Sequence, residues 1–223
     1  MNIRLVTRIT AAMVLGVFLA VATGAPPAQA AISYSGRAYG AQVKLVNPQP
    51  NLLIFSDTGQ LPSQGGSLSA TLLAIQLGNT LSSNTITAAT SGGGGIANSS
   101  AHQENVVVFA GQPAQVTAGV VEARSHADCS GAQGSSLVTN LTFGGTAVTV
   151  TGQPNQTVVI ANVATLIINE QIQVPGISDI TVNALHLRLG TGEEVILSSA
   201  HSDVTCPTAV RPDTWGHVKT LYR

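Results

Sequence analysis

Two segments of the chain carry residues whose types and spacing could bind a metal ion. They hold His126 with Asp128, and His201 with Asp203. Residues i and i+2 of a β-strand share a face, so each His-x-Asp pair points one way. Imidazole and carboxylate groups together suit Zn²⁺ and other divalent ions. If both strands lie in one sheet, the four side chains form a candidate metal site. If the strands lie in two facing sheets, the pairs sit on opposite outer surfaces and no shared site exists.

The two cysteines, Cys129 and Cys206, closely follow these two segments. An even pair in an exported chain predicts a disulfide, with two free buried thiols as the alternative. Such a bridge closes a long loop, for which chain entropy allows up to about 4.5 kcal/mol of stabilisation. Each cysteine stands an odd number of positions from the aspartate before it, and therefore points to the other face of its strand.

Glu170 is the remaining candidate for chemistry. Strict alternation along residues 164–174 puts this carboxyl among apolar side chains, where burial would raise its pKa and permit general-acid catalysis. Glycoside hydrolysis would need a second carboxylate at a defined distance, which the sequence does not identify. A slip in the alternation near Asn169 would instead carry Glu170 out to solvent. The chain has no GxSxG or SxxK motif and no Cys–His signal, so we predict no catalytic residue and a non-enzymatic protein.

The elements that must position these residues are β-strands. Short runs rich in Val, Ile, Leu and Thr alternate with clusters of Gly, Pro and Asn. Gly144-Gly145 between two such runs predicts a tight hairpin turn. The buried parity changes near Ala184, which predicts a β-bulge. We therefore expect an all-β fold of two antiparallel sheets packed as a sandwich, for which a jelly roll would be one suitable connectivity. An elongated β-barrel is the alternative.

The first thirty residues predict an export signal. Arg4 and Arg8 precede an apolar run over residues 11–22, and Ala28-Gln29-Ala30 is a small-residue cleavage site. The expected organisation is a signal peptide over residues 1–30, a β-sandwich domain over 31–206 and a C-terminal tail over 207–223. After cleavage we expect no membrane span, and a protein that is secreted or loosely associated with the cell surface.

Composition limits the partners. Only 9% of residues are charged and no basic run occurs, so the sequence argues against a nucleic-acid partner. The apolar share is 44%, which is too high for a disordered chain. Uncharged Ser, Thr, Asn and Gln residues make up most of the polar strand faces. These faces make a glycan-binding module one of the candidate functions.

Several segments resemble the choice-of-anchor P family of exported bacterial proteins. They are TFGGTAVTVTGQPNQTV, TLIINEQ, ITVNALHL, ILSSAHSDVTC and the earlier VVEARSHADCSG, and the close likeness covers about residues 116–206. The resemblance implies an export signal, a β-rich domain and varied C-terminal anchors, with no defined activity. This chain departs from the pattern after Cys206, where neither an LPxTG signal nor an apolar tail follows, so free secretion is expected.

The sequence thus favours an exported, non-enzymatic structural or interaction protein at or near the bacterial cell envelope. Its expected partners are cell-wall or extracellular-matrix components. The alternatives are a metal-binding, hydrolytic domain that uses the His/Asp residues and a divalent ion, and a glycan-binding module. No other cofactor is expected.

Overall fold

The computed structural model describes residues 31–46 and 51–207. The predicted signal peptide and the tail beyond residue 207 lie outside these ranges. The described residues form fifteen β-strands and contain no helix long and apolar enough to cross a membrane. The strands are β1 (Ser33–Leu45), β2 (Asn51–Asp57), β3 (Gly66–Leu72), β4 (Ile75–Leu77), β5 (Leu81–Ser83), β6 (Ile86–Gly93), β7 (Ile96–Val108), β8 (Val116–Asp128), β9 (Gly131–Thr139), β10 (Thr142–Phe143), β11 (Thr146–Ala147), β12 (Gln156–Ile160), β13 (Ala164–Gln173), β14 (Ser178–Leu189) and β15 (Glu194–Thr205).

The strands form two antiparallel sheets that pack as a sandwich, as predicted. The six-stranded sheet has the order β12-β13-β14-β15-β1-β2. The nine-stranded sheet is centred on the pair β7 and β8. Strands β5 and β6 pair with the other edge of β7, and β9 and β10 pair with the other edge of β8. The outer strands are β3 on β6, β4 on β5 and β11 on β10. Within the described residues, the chain passes from one sheet to the other after β2 and again after β11. This connectivity is a meander, whereas a jelly roll is built from Greek keys.

The ladders of the six-stranded sheet are interrupted at one row of residues that runs across the strands. Ser56, Asn169 and Ser198 in this row have left-handed backbone, with φ of 53°, 53° and 51°. Ala184 stands opposite Asn169, and the register is the same on both sides of the row. The buried parity of β14 nevertheless changes at Ala184, as expected. A β-bulge would insert an extra residue into one strand. None is inserted here, so the predicted bulge is wrong and the change is a reversal of the pleat.

The nine-stranded sheet has a matching row. Asn105 and Asn140 have φ of 50° and 51°, and both stand opposite Gly119 of β8. The buried side of β8 therefore changes at Gly119, so that Val116 and Val121 both face the core. Strict alternation would put Val116 on the same face as His126, whereas the reversal places Val116 in the core and leaves His126 on the outer face.

The two rows meet across the core and mark a change in its packing. Ser198 Oγ donates to the Val121 carbonyl over 2.8 Å, and the buried amide of Gln103 donates to the Gly40 carbonyl and to Ser198 Oγ. On one side lies the aliphatic half, which includes Val43, Leu81, Val108, Val116, Leu166, Leu185, Leu187 and Val195. On the other side lies the close-packed half, centred on Gly36, Ala38, Thr90, Ala97, Ser99, Ala101, Ser125, Ala127, Ser202 and Val204.

The end of the close-packed half is closed by the predicted disulfide. Cys129 follows β8 and Cys206 follows β15, and their Cα atoms are 5.7 Å apart. The bridge therefore joins the two facing sheets. Along one open side of the sandwich, the Gln171 amide donates to the Gly134 carbonyl over 2.9 Å and so covers part of the free edge of β9.

Candidate functional site

The structure separates the two His-x-Asp pairs. Ser125 of β8 and Ser202 of β15 hydrogen-bond to each other between the sheets over 2.8 Å. The alternating neighbours His126 and His201 therefore point away from the core on opposite outer surfaces. This is the arrangement in which the four side chains form no shared site. Within residues 31–46 and 51–207, no three His, Cys, Asp or Glu side chains are arranged to hold a metal ion.

His126 and Asp128 lie at the end of β8, where each has local partners. His126 Nδ1 is 2.8 Å from Asn98 Oδ1, and its Nε2 is 3.4 Å from Asp128 Oδ2. Asp128 Oδ1 accepts from the Ser130 hydroxyl and amide over 2.6 and 2.7 Å. These bonds lower the pKa of Asp128 to about 2. Asp128 is therefore an ionised residue that shapes the turn after β8.

His201 and Asp203 lie on the outer face of the six-stranded sheet. His201 Nδ1 is 3.1 Å from Thr181 Oγ1 and 3.4 Å from Asp179 Oδ1. Asp203 stands directly opposite Asp179 in the ladder. Partial burial, and then the Asp179 charge, raise the pKa of Asp203. Two like charges that face each other across a ladder are unfavourable, and His201 lies beside both.

Glu170 belongs to a buried ion-pair network on the same outer face. The His186 ring lies between two carboxylates, with Nδ1 2.7 Å from Glu170 Oε2 and Nε2 2.6 Å from Glu194 Oε1. The Asn183 amide donates to Glu170 over 2.7 Å, and Arg188 Nε is 3.2 Å from Glu194. Arg188 Nε also donates to His186 Nε2 over 3.2 Å, so the ring bridges the two carboxylates and contacts the guanidinium as well.

The network corrects the general-acid hypothesis for Glu170. The pleat reversal at Asn169 places the Glu170 side chain on the outer face, as expected for a slip in the alternation near Asn169. The side chain is nevertheless only 11% exposed there. Burial raises the pKa of Glu170. The hydrogen bonds from His186 and Asn183 and the charges of His186 and Arg188 lower it by more, so the pKa is below its ordinary value. Glu170 is therefore an ionised structural partner.

A groove of about 810 Å³ crosses the outer face of the nine-stranded sheet. Strands β3, β6, β7, β8 and β9 form its wall, and their register places the lining side chains in two rows. We call this feature the hydroxyl groove, because most of its side chains are hydroxyls and amides. One row is Ser67, Ser91, Asn98, His126 and Gln133, and the other is Ser69, Ala89, Ser100, Arg124 and Ser135.

The groove is open because the side chains in its middle are small. Ala89 and Ser91 of β6 and Ser100 of β7 are small, and beside them on β8 stand the longer side chains of Arg124 and His126. The charged lining residues Arg124 and Glu122 form an ion pair with each other through Arg124 Nε. The local surface therefore offers many uncharged hydrogen-bonding groups and one balanced ion pair.

Sequence reasoning named only one residue of this groove, His126. The Ser, Thr and Asn content of the strand faces was visible, but the strand order that assembles them depends on pairings far apart in sequence. His186 and Glu194 were also missed, since nothing in their local sequence marks them as partners of Glu170.

The fold and the groove together define an all-β sandwich with an open polar groove on one outer face. Comparison of the chain with protein-family models, with curated proteins and with solved structures finds no match. The features that bear on function are the geometry of the groove, the Cys129–Cys206 disulfide and the signal-like residues 1–30.

Proposed function

We propose that this protein is an exported, non-enzymatic interaction protein that acts at or near the bacterial cell envelope and binds its partner through the hydroxyl groove. The groove on the nine-stranded sheet is the observation that carries the proposal. The signal-like residues 1–30 and the disulfide between Cys129 and Cys206 support an extracellular setting, where such bridges persist.

The chemistry of the lining favours binding over catalysis. Hydroxyl and amide side chains stay uncharged near neutral pH, and they recognise ligands by hydrogen bonds. The ionisable groups there already have protein partners, since Arg124 pairs with Glu122 and His126 contacts Asn98. The hydrogen-bonded Glu170 network lies on the opposite outer surface.

The groove is also built on a rigid support. Its five strands are joined by continuous ladders, and the inward side chains between the groove residues belong to the close-packed half. Ser99 and Ser125, for example, lie behind the groove, and Ser125 bonds to Ser202 across the core. A preformed surface loses little conformational entropy when a ligand binds.

The test is retention of oxidised protein, residues 31–223, on purified cell walls in a sedimentation assay. Ala89→Leu and Ser100→Leu place larger side chains in the middle of the groove, and Thr165→Leu is the matched control on the outer face of the other sheet. We expect the two groove variants to reduce retention by about tenfold and the control to leave it unchanged.

Two outcomes would contradict the proposal. Equal retention of the groove and control variants would place binding elsewhere on the molecule. Retention that is lost in EDTA would favour the metal-dependent alternative with His126, Asp128, His201 or Asp203.

A further inference from the structure

We propose, on the basis of the function proposed above, that the hydroxyl groove binds an uncharged glycan chain that lies across the strands. The hydrogen-bonding capacity, the charge and the dimensions of the groove support this class of ligand.

The hydrogen-bonding groups of the groove match those of a sugar. A serine hydroxyl both donates and accepts, as a sugar hydroxyl does, and it rotates to suit its partner. Among the described residues, five outward serines form no side-chain hydrogen bond and are therefore free to bind ligand: Ser67, Ser69, Ser91, Ser100 and Ser135. By contrast, the inward hydroxyls of Ser99 and Ser125 are committed to the core.

The charge of the groove favours a neutral ligand. Arg124 and Glu122 compensate each other, and His126 lies between Asn98 and Asp128. A polyanion would approach the carboxylates of Glu122 and Asp128, and a polycation would approach Arg124. A neutral chain displaces neither partner of the ion pair and leaves no charge buried without its counter-charge.

The dimensions of the groove indicate a chain that runs across the strands. Each row of lining residues spans five strands, and four interstrand spacings give a length of about 19 Å. Small side chains, Ala89 and Ser100 among them, lie along this path, so an extended chain can rest on the sheet.

The affinity for a single site is expected to be weak. No aromatic side chain is among the described residues that line the groove, so sugar rings gain no stacking energy there. Retention on a surface would then depend on a polymer that presents many repeats to many protein molecules.

The test measures sedimentation of oxidised residues 31–223 with insoluble polysaccharides of different charge: cellulose and chitin as neutral polymers, calcium alginate as an acidic one and chitosan as a basic one. We expect binding to cellulose or chitin that persists in about 0.5 M NaCl, where exposed charges are screened. Ala89→Leu and Ser100→Leu should each reduce this binding by about tenfold, whereas Thr165→Leu should not. Arg124→Gln should change it by less than about threefold.

The outcomes separate the ligand class from the proposed function. Binding only to alginate or chitosan, lost in salt, would overturn the neutral-glycan inference. Binding to cell walls that depends on the groove, with no binding to any of the four polysaccharides, would overturn the inference and leave the proposed function standing. Wall binding that is indifferent to the groove variants would overturn both.

Discussion

The two halves of the sandwich hold their sheets together by different means. In the aliphatic half, large side chains such as Leu166 and Leu187 fill the space between the sheets. In the close-packed half, Ala, Ser and Gly residues let the sheets approach closely, and hydroxyls such as Ser125 and Ser202 bond across the gap. One half is therefore sensitive to lost volume, and the other is sensitive to added volume.

This difference bears on function, because the hydroxyl groove lies behind the close-packed half. Its outward residues alternate along β7 and β8 with the inward residues that bond the two sheets, such as Ser99 and Ser125. The wall of the groove is therefore fixed by direct contact with the opposite sheet. On the other outer surface, the Glu170–His186–Glu194 network crosses the row of left-handed residues, with Glu170 on one side of the row and His186 and Glu194 on the other.

The largest effect should come from removing volume in the aliphatic half. Leu166 is fully buried, and Leu166→Ala should lower the free energy of unfolding by about 4 kcal/mol through lost transfer energy and the cavity that remains. Urea unfolding of the oxidised protein measures the change. A loss below about 1 kcal/mol would mean that this half repacks easily and that the contrast between the halves is wrong.

The next largest loss of stability should come from removing the disulfide, which closes the end of the close-packed half. Removal of the bridge by Cys129→Ala together with Cys206→Ala should cost about 3 kcal/mol, since the unfolded chain regains the entropy of a long loop. The comparison is urea unfolding of the double variant and of the oxidised wild type. Equal stability of the two proteins would show that the core contacts alone hold the sheets together at this end.

A smaller effect should distinguish close packing from ordinary packing. A Cβ on Gly36 would collide with Thr90 Oγ1 and lie 3.4 Å from the His201 carbonyl, whereas a Cβ on Gly93 meets no atom within 4 Å. Gly36→Ala should therefore destabilise the protein by about 2 kcal/mol, and Gly93→Ala should be close to neutral. Melting of the two variants side by side gives the answer. Equal effects would indicate that the close-packed half has room to adjust.

Much of the fold could be predicted because its signals are local. Runs of β-formers between Gly, Pro and Asn clusters mark the strands, and the Gly144-Gly145 turn between β10 and β11 is confirmed by two positive φ angles. The disulfide was predicted from the cysteine count and the predicted export signal. The pleat reversal was visible as a change of parity at Ala184 and as the alternative of a slip near Asn169, whereas Ser56 and Ser198 give no sequence sign of left-handed backbone.

The candidate site was harder to predict because its parts are distant in sequence. The hydroxyl groove joins residues from Ser67 to Ser135, and only the ladders of β3, β6, β7, β8 and β9 bring them to one surface. The hypothesis of a shared metal site is wrong for the same reason. The sheet to which each His-x-Asp pair belongs is set by the topology, and the two pairs lie in different sheets.

The smallest effect concerns the Glu170–His186–Glu194 network on the outer face of the six-stranded sheet, and it depends on pH. The pKa of Glu170 is lowered in the folded protein, so its ionisation stabilises the fold above the ordinary carboxyl pKa of about 4.3, and this contribution is lost as the pH falls below that value toward the lowered pKa. Glu170→Gln should cost about 1 kcal/mol at pH 6 and should flatten the decline in stability between about pH 5 and pH 3. Urea unfolding across this range measures both quantities, with Glu193→Gln as the control outside the network. An unchanged slope in Glu170→Gln would show that the acid sensitivity arises elsewhere, for example at Asp57 or Asp128.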